Sequence, residues 1–299
     1  MENANKIKRA MWTINSICNF DCPYCFINKC DKNLIGNSNI EPIIDFLDKT
    51  GKWDLRLMGG EPFLHPKFLE ICRRATENHT VSVISNISSP LVYDFAKTID
   101  PKNTVYFTCS LHLTELEKFN LKKDYIAKFN LLNEKGFNPV PTFVMYPPLL
   151  KKFDDTYNYF KENGVDIYAL NFCGYYNGKL YPASYTRKEF SMVKKYSHGI
   201  KSNAIKGRIS FKGLLCRAGY DNIVISTNGD VKKCQSSNAI MGNIFERNVK
   251  LFDCPQICDI DICGCAGEGY DFAQGKPKIL GLSLTQRLKQ ILKIQLGIS

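Results

Sequence analysis

Between residues 11 and 197 the chain alternates short β-like runs with helical segments, six of each, and this alternation limits the fold more than any other feature. The strand candidates are 11–15, 54–58, 81–85, 105–110, 140–145 and 167–172, and the helical stretches are 41–50, 65–78, 90–100, 123–135, 154–163 and 187–197. Gly136 and Gly164 follow two of these helices and suit the left-handed residue that ends a helix. A helix between successive strands predicts parallel pairing with right-handed crossovers. Six βα units are too few for eight-fold closure, so the expected fold class is α/β, a partial (β/α)6 TIM-like barrel. Chemistry in such folds collects at the C-terminal ends of the strands.

After about residue 200 the character changes. Asn228-Gly229 sits between the β-like runs 222–226 and 230–233, a hairpin signal, and six of the thirteen cysteines lie between 216 and 265. The expected organisation is a barrel over 1–204, a small cysteine-rich domain over 205–272 and a helical tail over 273–299. Leu284, Leu288, Ile291, Leu292 and Leu296 give that tail an apolar stripe, read as a terminal helix packed on the barrel, with a membrane-surface helix as the alternative.

No run approaches the roughly 20 apolar residues of a membrane span, and the N-terminus is polar rather than signal-like. The expectation is a cytoplasmic protein, where clustered cysteines mean metal or catalysis more often than disulfides. The net charge of +11 is read mainly as a solvated lysine-rich surface. Thiolates bound to metal would lower the real balance. No basic stripe interleaved with aromatics supports a nucleic acid partner.

Cys18-Asn-Phe-Asp-Cys22-Pro-Tyr-Cys25 directly follows the first strand. Three thiols at this spacing can hold one corner of an iron–sulfur cluster while leaving the fourth iron open to a reacting ligand. Together with Tyr24 just before the last cysteine, and with Gly59-Gly60-Glu61-Pro62 ending the second strand, the segment resembles the radical S-adenosylmethionine (SAM) enzymes over roughly residues 8–200. The resemblance implies a [4Fe–4S] cluster on Cys18, Cys22 and Cys25, with SAM chelating the open iron and cleaved to a 5′-deoxyadenosyl radical. It further implies that Gly59, Gly60 and Pro62 line the methionyl site, with the two glycines allowing close backbone approach, and that Glu61 anchors the amino group. Ser85, Asn86 and Ser110 would contact ribose and carboxylate, and Tyr24 would lie near the adenine. For Ser85 and Asn86 a helix or turn cap is the competing reading, and for Tyr24 a place in the core. His112 is a strand-end histidine that either faces substrate or is hydrogen-bonded within the fold.

Cys216-x12-Gly229-x4-Cys234 resembles the opening of SPASM/Twitch extensions. The spacing of Cys254, Cys258, Cys263 and Cys265 departs from the seven-cysteine SPASM pattern. That departure favours a Twitch-like domain with one auxiliary [4Fe–4S] cluster on Cys216, Cys234 and two of the last four. A zinc site is the competing reading. Cys72 reads as core and Cys30 as incidental. Cys109 and Cys173, near ends of the fourth and sixth strands, are candidate hydrogen donors, with small buried thiols as the alternative.

The expected reaction is hydrogen abstraction from a carbohydrate or other small polar substrate, as oxidation or epimerisation. The segment 172–182 would line the pocket, and flavodoxin or ferredoxin would supply electrons. Peptide modification is the alternative, disfavoured because the sequence shows no leader-recognition domain. An iron–sulfur electron carrier and a zinc-containing nucleic-acid-binding protein stand further off.

Overall fold

A computed structural model describes residues 7–25, 36, 39–197, 209–261, 263, 273–275 and 278–279. The expected tail helix, Cys30 and Cys265 lie outside the described residues.

The barrel is built from β1 (Lys8–Asn15), α1 (Glu41–Thr50), β2 (Trp53–Gly59), α2 (Phe68–Asn78), β3 (Thr80–Ser85), α3 (Leu91–Thr98), β4 (Thr104–Ser110), α4 (Leu113–Lys118), α5 (Lys122–Glu134), β5 (Pro139–Met145), α6 (Phe153–Glu162) and β6 (Tyr168–Asn171). Strands β1 to β6 pair in sequential order, all parallel. The fold is therefore the α/β parallel sheet that the alternation implies.

Each strand is split by its period of two. Trp53, Leu55 and Leu57 of β2, Val81 and Val83 of β3, and Phe107 and Cys109 of β4 point to the helical side and are fully buried. Helix α2 answers with Phe68, Ile71, Cys72 and Ala75, the i, i+3, i+4, i+7 set that lies on one helical face. Phe63, Phe68, Phe95, Phe107 and Phe137 form one contiguous aromatic cluster in this layer. Burying each such ring is worth about 1.5–3 kcal/mol. Alternate residues face the lumen. There Asp54 accepts from Ser82 Oγ at 2.9 Å, Arg56 Nε lies 3.7 Å from Asp54, and the Arg56 guanidinium stands 5.2 Å over the Tyr106 ring.

Beyond β6 come β7 (Gly174–Tyr176) and β8 (Lys179–Tyr181), a hairpin within the segment 172–182, then α7 (Arg187–Tyr196), which opens on a Thr186–Glu189 capping box. Short strands β9 (Ile209–Ser210) and β10 (Leu215–Cys216) precede β11 (Asn222–Ile225), β12 (Asp230–Lys232) and β13 (Ile240–Asn243). The expected hairpin forms, with Gly229 at φ 86°. Its first strand also pairs in parallel with β1, Arg9 opposite Asn222 and Trp12 opposite Ile225. The result is a nine-stranded sheet ordered β13-β12-β11-β1-β2-β3-β4-β5-β6, whose two ends do not pair with each other among the described residues. Strand β14 (Gln256–Ile257) and β15 (Ala273–Gln274) flank β10, and β16 (Lys278–Ile279) pairs with β9.

Candidate active site

The cysteine loop leaves the C-terminal end of β1 and is hooked at once onto the end of β2. Gly60 N donates to Asn15 O at 3.1 Å, and Glu61 N donates to Ile17 O at 2.7 Å. Asn15 Nδ2 donates to Glu61 O at 3.0 Å. The two backbones touch so closely that a Cβ on Gly59 would lie 2.2 Å from Asn15 O, and one on Gly60 2.1 Å from Ile17 O. The glycine pair thus has a local cause: only residues without a side chain let the two motifs dock.

Within the loop Cys18 is half-buried, Cys22 buried and Cys25 exposed, and Cys25 N donates to Cys22 O across a tight turn. Phe20, buried, anchors the loop by stacking on Phe119 with centroids 6.0 Å apart. Among the described residues no three histidine, cysteine or carboxylate side chains are grouped as ligands of one metal ion. An iron–sulfur cluster makes a different demand, because each thiolate binds its own iron. Three thiol donors on one loop suit that chemistry.

Glu61 is fully buried and faces inward. Its Oε1 accepts from Ser85 Oγ at 2.7 Å and Phe63 N at 3.1 Å, and its Oε2 accepts from Asn86 N at 2.8 Å. Desolvation pushes its pKa up to about 7 against the pull of these hydrogen bonds and of the Lys128 charge. The carboxylate therefore ties the end of β2 to the end of β3. Pro62, also buried, opens the short 3-10 turn Pro62–Leu64 behind it.

Asn86 continues outward, its Nδ2 donating to Asn19 Oδ1 at 3.1 Å. On the far side of the loop the Tyr24 hydroxyl lies 3.2 Å from His112 Nδ1, and its ring centroid lies 5.3 Å from that of Tyr146. Burial, followed by the neighbouring Cys22, raises the Tyr24 hydroxyl pKa, and burial lowers the His112 imidazole to about 4. His112 is thus neutral at ordinary pH and bonded to Tyr24. Ser110, half-buried, ends β4 on the lumen side.

The two candidate hydrogen donors part company. Cys109 shares the helical side of β4 with Phe107, is fully buried, and donates weakly to Phe107 O at 3.9 Å; burial raises its thiol pKa. Cys173 is exposed beyond β6, and its sulfur accepts from Asn171 Nδ2 at 3.0 Å. The surrounding protein brings its pKa up to about 11, with the Asn171 bond opposing.

A second cysteine set gathers at the opposite end of the sheet. Cys216, Cys234, Cys258 and Cys263 line a cavity of about 530 Å3, counted with the space open to solvent, beside Phe211, Asn222 and Ile260. Cys258 is pinned through both backbone groups, its N donating to Leu214 O and its O accepting from Gly213 N. Cys254 is exposed and lies outside the cavity lining. Since Asn222 begins β11 and Cys234 follows β12, the cavity lies level with Arg9, at the entrance of β1, whereas the cysteine loop follows its exit.

Residues 12–166, a little more than half of the chain, match the Radical SAM superfamily. The chain belongs to the radical SAM superfamily. Membership implies a [4Fe–4S] cluster and SAM. Among solved structures, Streptococcus suis SuiB bound to precursor peptide SuiA is similar at 18% identity and a TM-score of 0.57, covering 81% of this chain and 63% of that one. The chain thus spans less than two thirds of the length of SuiB. Native anSMEcpe with bound S-adenosylmethionine is similar at 17% identity and a TM-score of 0.57, covering 80% of this chain and 79% of that one. Likeness at these identities shows the fold. No curated protein matches the sequence, and no helix among the described residues is long and apolar enough to cross a membrane.

Sequence reasoning missed Asn15, Asn19, Ser88, Lys128 and Tyr146, all of which support the site. One signal was available. Lys128 falls on the stripe of Tyr125, Ile126, Phe129 and Leu132 that buries α5, and a lysine in such a stripe needs a partner.

Proposed function

We propose that this enzyme abstracts hydrogen from a peptide substrate, using Cys18, Cys22 and Cys25 as the ligands of its [4Fe–4S] cluster. The bound cluster and SAM together supply the 5′-deoxyadenosyl radical. The observation that carries the reading is the docking of the cysteine loop onto Gly59–Glu61 at the C-terminal ends of the strands, where this fold places its chemistry. Gly59, Gly60 and Pro62 would shape the methionyl site. Asn86, Ser110 and Tyr24 would border the nucleoside, with Asn86 held through its N to the Glu61 carboxylate that Ser85 also bonds. Tyr146, Phe172 and Tyr176 pack edge to face at the mouth, with centroids 5.1 and 5.3 Å apart, and would help exclude water. Of the two hydrogen-donor candidates, Cys173 is the one placed at the exposed mouth.

The peptide reading takes precedence over the carbohydrate one because SuiB was solved with precursor peptide SuiA and anSMEcpe with the Kp18Cys peptide. For the Twitch-like region, Cys216, Cys234, Cys258 and Cys263 would hold one auxiliary [4Fe–4S] cluster. Four sulfur donors around one cavity would suit such a group, in which each thiolate binds its own iron, whereas among the described residues no three of them are grouped as ligands of a single zinc ion. A low-potential donor such as flavodoxin or ferredoxin would feed the first cluster.

Anaerobic reconstitution tests the scheme. The expected results are about eight irons per chain, 5′-deoxyadenosine after addition of dithionite and SAM, and a mass change in a supplied peptide. Joint substitution of Cys18, Cys22 and Cys25 by alanine should abolish the 5′-deoxyadenosine and spare the auxiliary absorption. Iron without 5′-deoxyadenosine removes the enzyme reading. Turnover of a sugar with no peptide modified restores the carbohydrate reading.

A further inference from the structure

The turn after β3 is held in a conformation its sequence resists. Ile87 is β-branched and sits at φ 50°, with its side chain fully buried. Such residues avoid the left-handed region unless their surroundings impose it. Here Ile87 N donates to Ser85 Oγ at 2.8 Å, Ser88 N donates to Asn86 Oδ1 at 2.9 Å, and Asn86 N donates to Glu61. The last restraint comes from another layer of the fold. Lys128 on α5, only 2% exposed, donates from Nζ to Ser88 O at 2.9 Å and to Asp124 Oδ2 at 2.6 Å. A buried ammonium is costly unless paired and hydrogen-bonded, and Asp124 with the Ser88 carbonyl meets that demand.

The turn in turn grips the cysteine loop. Asn19, between Cys18 and Cys22, donates from Nδ2 to Ser88 Oγ at 2.7 Å and accepts at Oδ1 from Asn86 Nδ2. Ser88 Oγ also donates to Asn86 Oδ1 at 2.6 Å. Both polar atoms of the Asn19 amide are therefore fixed by the strained turn.

We propose that Lys128 is a positioning residue that, through Ser88 and Asn86, sets the cysteine loop and the nucleoside-facing turn relative to each other. It touches no reacting atom. The inference rests on the radical SAM reading of Cys18, Cys22 and Cys25. Loss of Lys128 lets Ile87 relax, so that Asn86 and Asn19 lose their alignment while the strands keep theirs.

The test uses the reconstituted holoenzyme as wild type and as Lys128→Met, Lys128→Arg and Asn19→Ala. The readouts are SAM affinity by anaerobic equilibrium dialysis, the change in the reduced-cluster EPR signal on adding SAM, and the thermal midpoint. Lys128→Met and Asn19→Ala should each weaken SAM binding about tenfold, the worth of one charge-assisted or doubly made hydrogen bond, and blunt the EPR change. Lys128→Arg, which can still donate to the carbonyl, should recover part of the affinity. Asn19→Ala lies on the exposed side and should leave the thermal midpoint unchanged, so it carries the test even where Lys128→Met folds poorly. Asn19→Ala with wild-type affinity and EPR response overturns the inference, as does Lys128→Met that lowers only the thermal midpoint. A wild type with no SAM-dependent EPR change overturns the radical reading itself, and the inference with it.

Discussion

Replacing Glu61 by glutamine keeps the shape of a fully buried side chain while removing its proton equilibrium. In the wild type, desolvation pushes the Glu61 carboxyl from its ordinary 4.5 up to about 7. The folded chain therefore holds a proton that the unfolded chain releases between those values. The stability tied to that proton is present in acid and lost as pH rises through about 7. Between pH 5.5 and 8 the loss is about 2 kcal/mol, roughly 1.4 kcal/mol for each pH unit below the folded pKa. Glu61→Gln has no such slope. Its amide nitrogen also cannot accept, so one of the Ser85, Phe63 and Asn86 donors is left unsatisfied at a cost of about 1–3 kcal/mol. The variant should thus be the less stable protein at pH 5.5, and the gap should narrow by about 2 kcal/mol at pH 8. Anaerobic denaturant unfolding of both proteins at several pH values measures this difference, and titrations common to both cancel. A gap that stays constant, or widens with rising pH, refutes the assignment of the raised proton affinity to Glu61.

Gly60→Ala forces a Cβ to within 2.1 Å of Ile17 O, so the cysteine loop must lift from β2; iron analysis should fall by about four per chain while the auxiliary absorption persists. Cys258→Ala and Cys263→Ala should each bring the iron content to about four per chain, whereas Cys254→Ala should leave it at about eight. Tyr24→Phe removes the bond to His112 and should weaken SAM binding about fivefold, the equivalent of about 1 kcal/mol, as read by equilibrium dialysis.

The parallel core was legible because helix and strand periods differ sharply, and Gly136 and Gly164, at φ 87° and 82°, end their helices as their positions implied. The cysteine triad and Gly59–Pro62 were legible as motifs, and their order along the chain matched their order in the sheet. Other features depended on contacts far apart in sequence. Nothing local in residues 222–225 announces β1 as their partner, because strand pairing is settled by register across the fold. The proposed preference for Cys258 and Cys263 over Cys254 likewise rests on the cavity lining and on the loop that pins Cys258 between Leu214 and Gly213, which cysteine spacing does not show. The resemblance assigns Glu61 to a ligand's amino group, whereas the bonds its carboxylate accepts from Ser85 and Asn86 join strand ends that no local pattern links. Cys109 is the instructive case. Strand parity alone groups it with Phe107, away from Thr108 and Ser110, so its burial on the helical side is legible in the sequence.

The pairing of β11 with β1 bears on what an auxiliary centre can do here. Arg9 and Asn15 are six residues apart on β1, about 20 Å at about 3.3 Å per residue. The cysteine cavity lies beside the first, and the cysteine loop follows the second. A small metabolite does not span that distance, so one molecule of that size cannot be a ligand of the cavity and a target at the loop. All four sulfurs lining the cavity belong to the protein, which would complete the coordination of a four-iron cluster. An auxiliary cluster in this position would therefore exchange electrons or brace the sheet rather than bind the substrate. An extended peptide of about six residues has the reach to meet both ends. Spectra of the auxiliary cluster that remain unchanged on adding a small substrate, recorded beside a SAM-dependent change at the first cluster, would separate these roles.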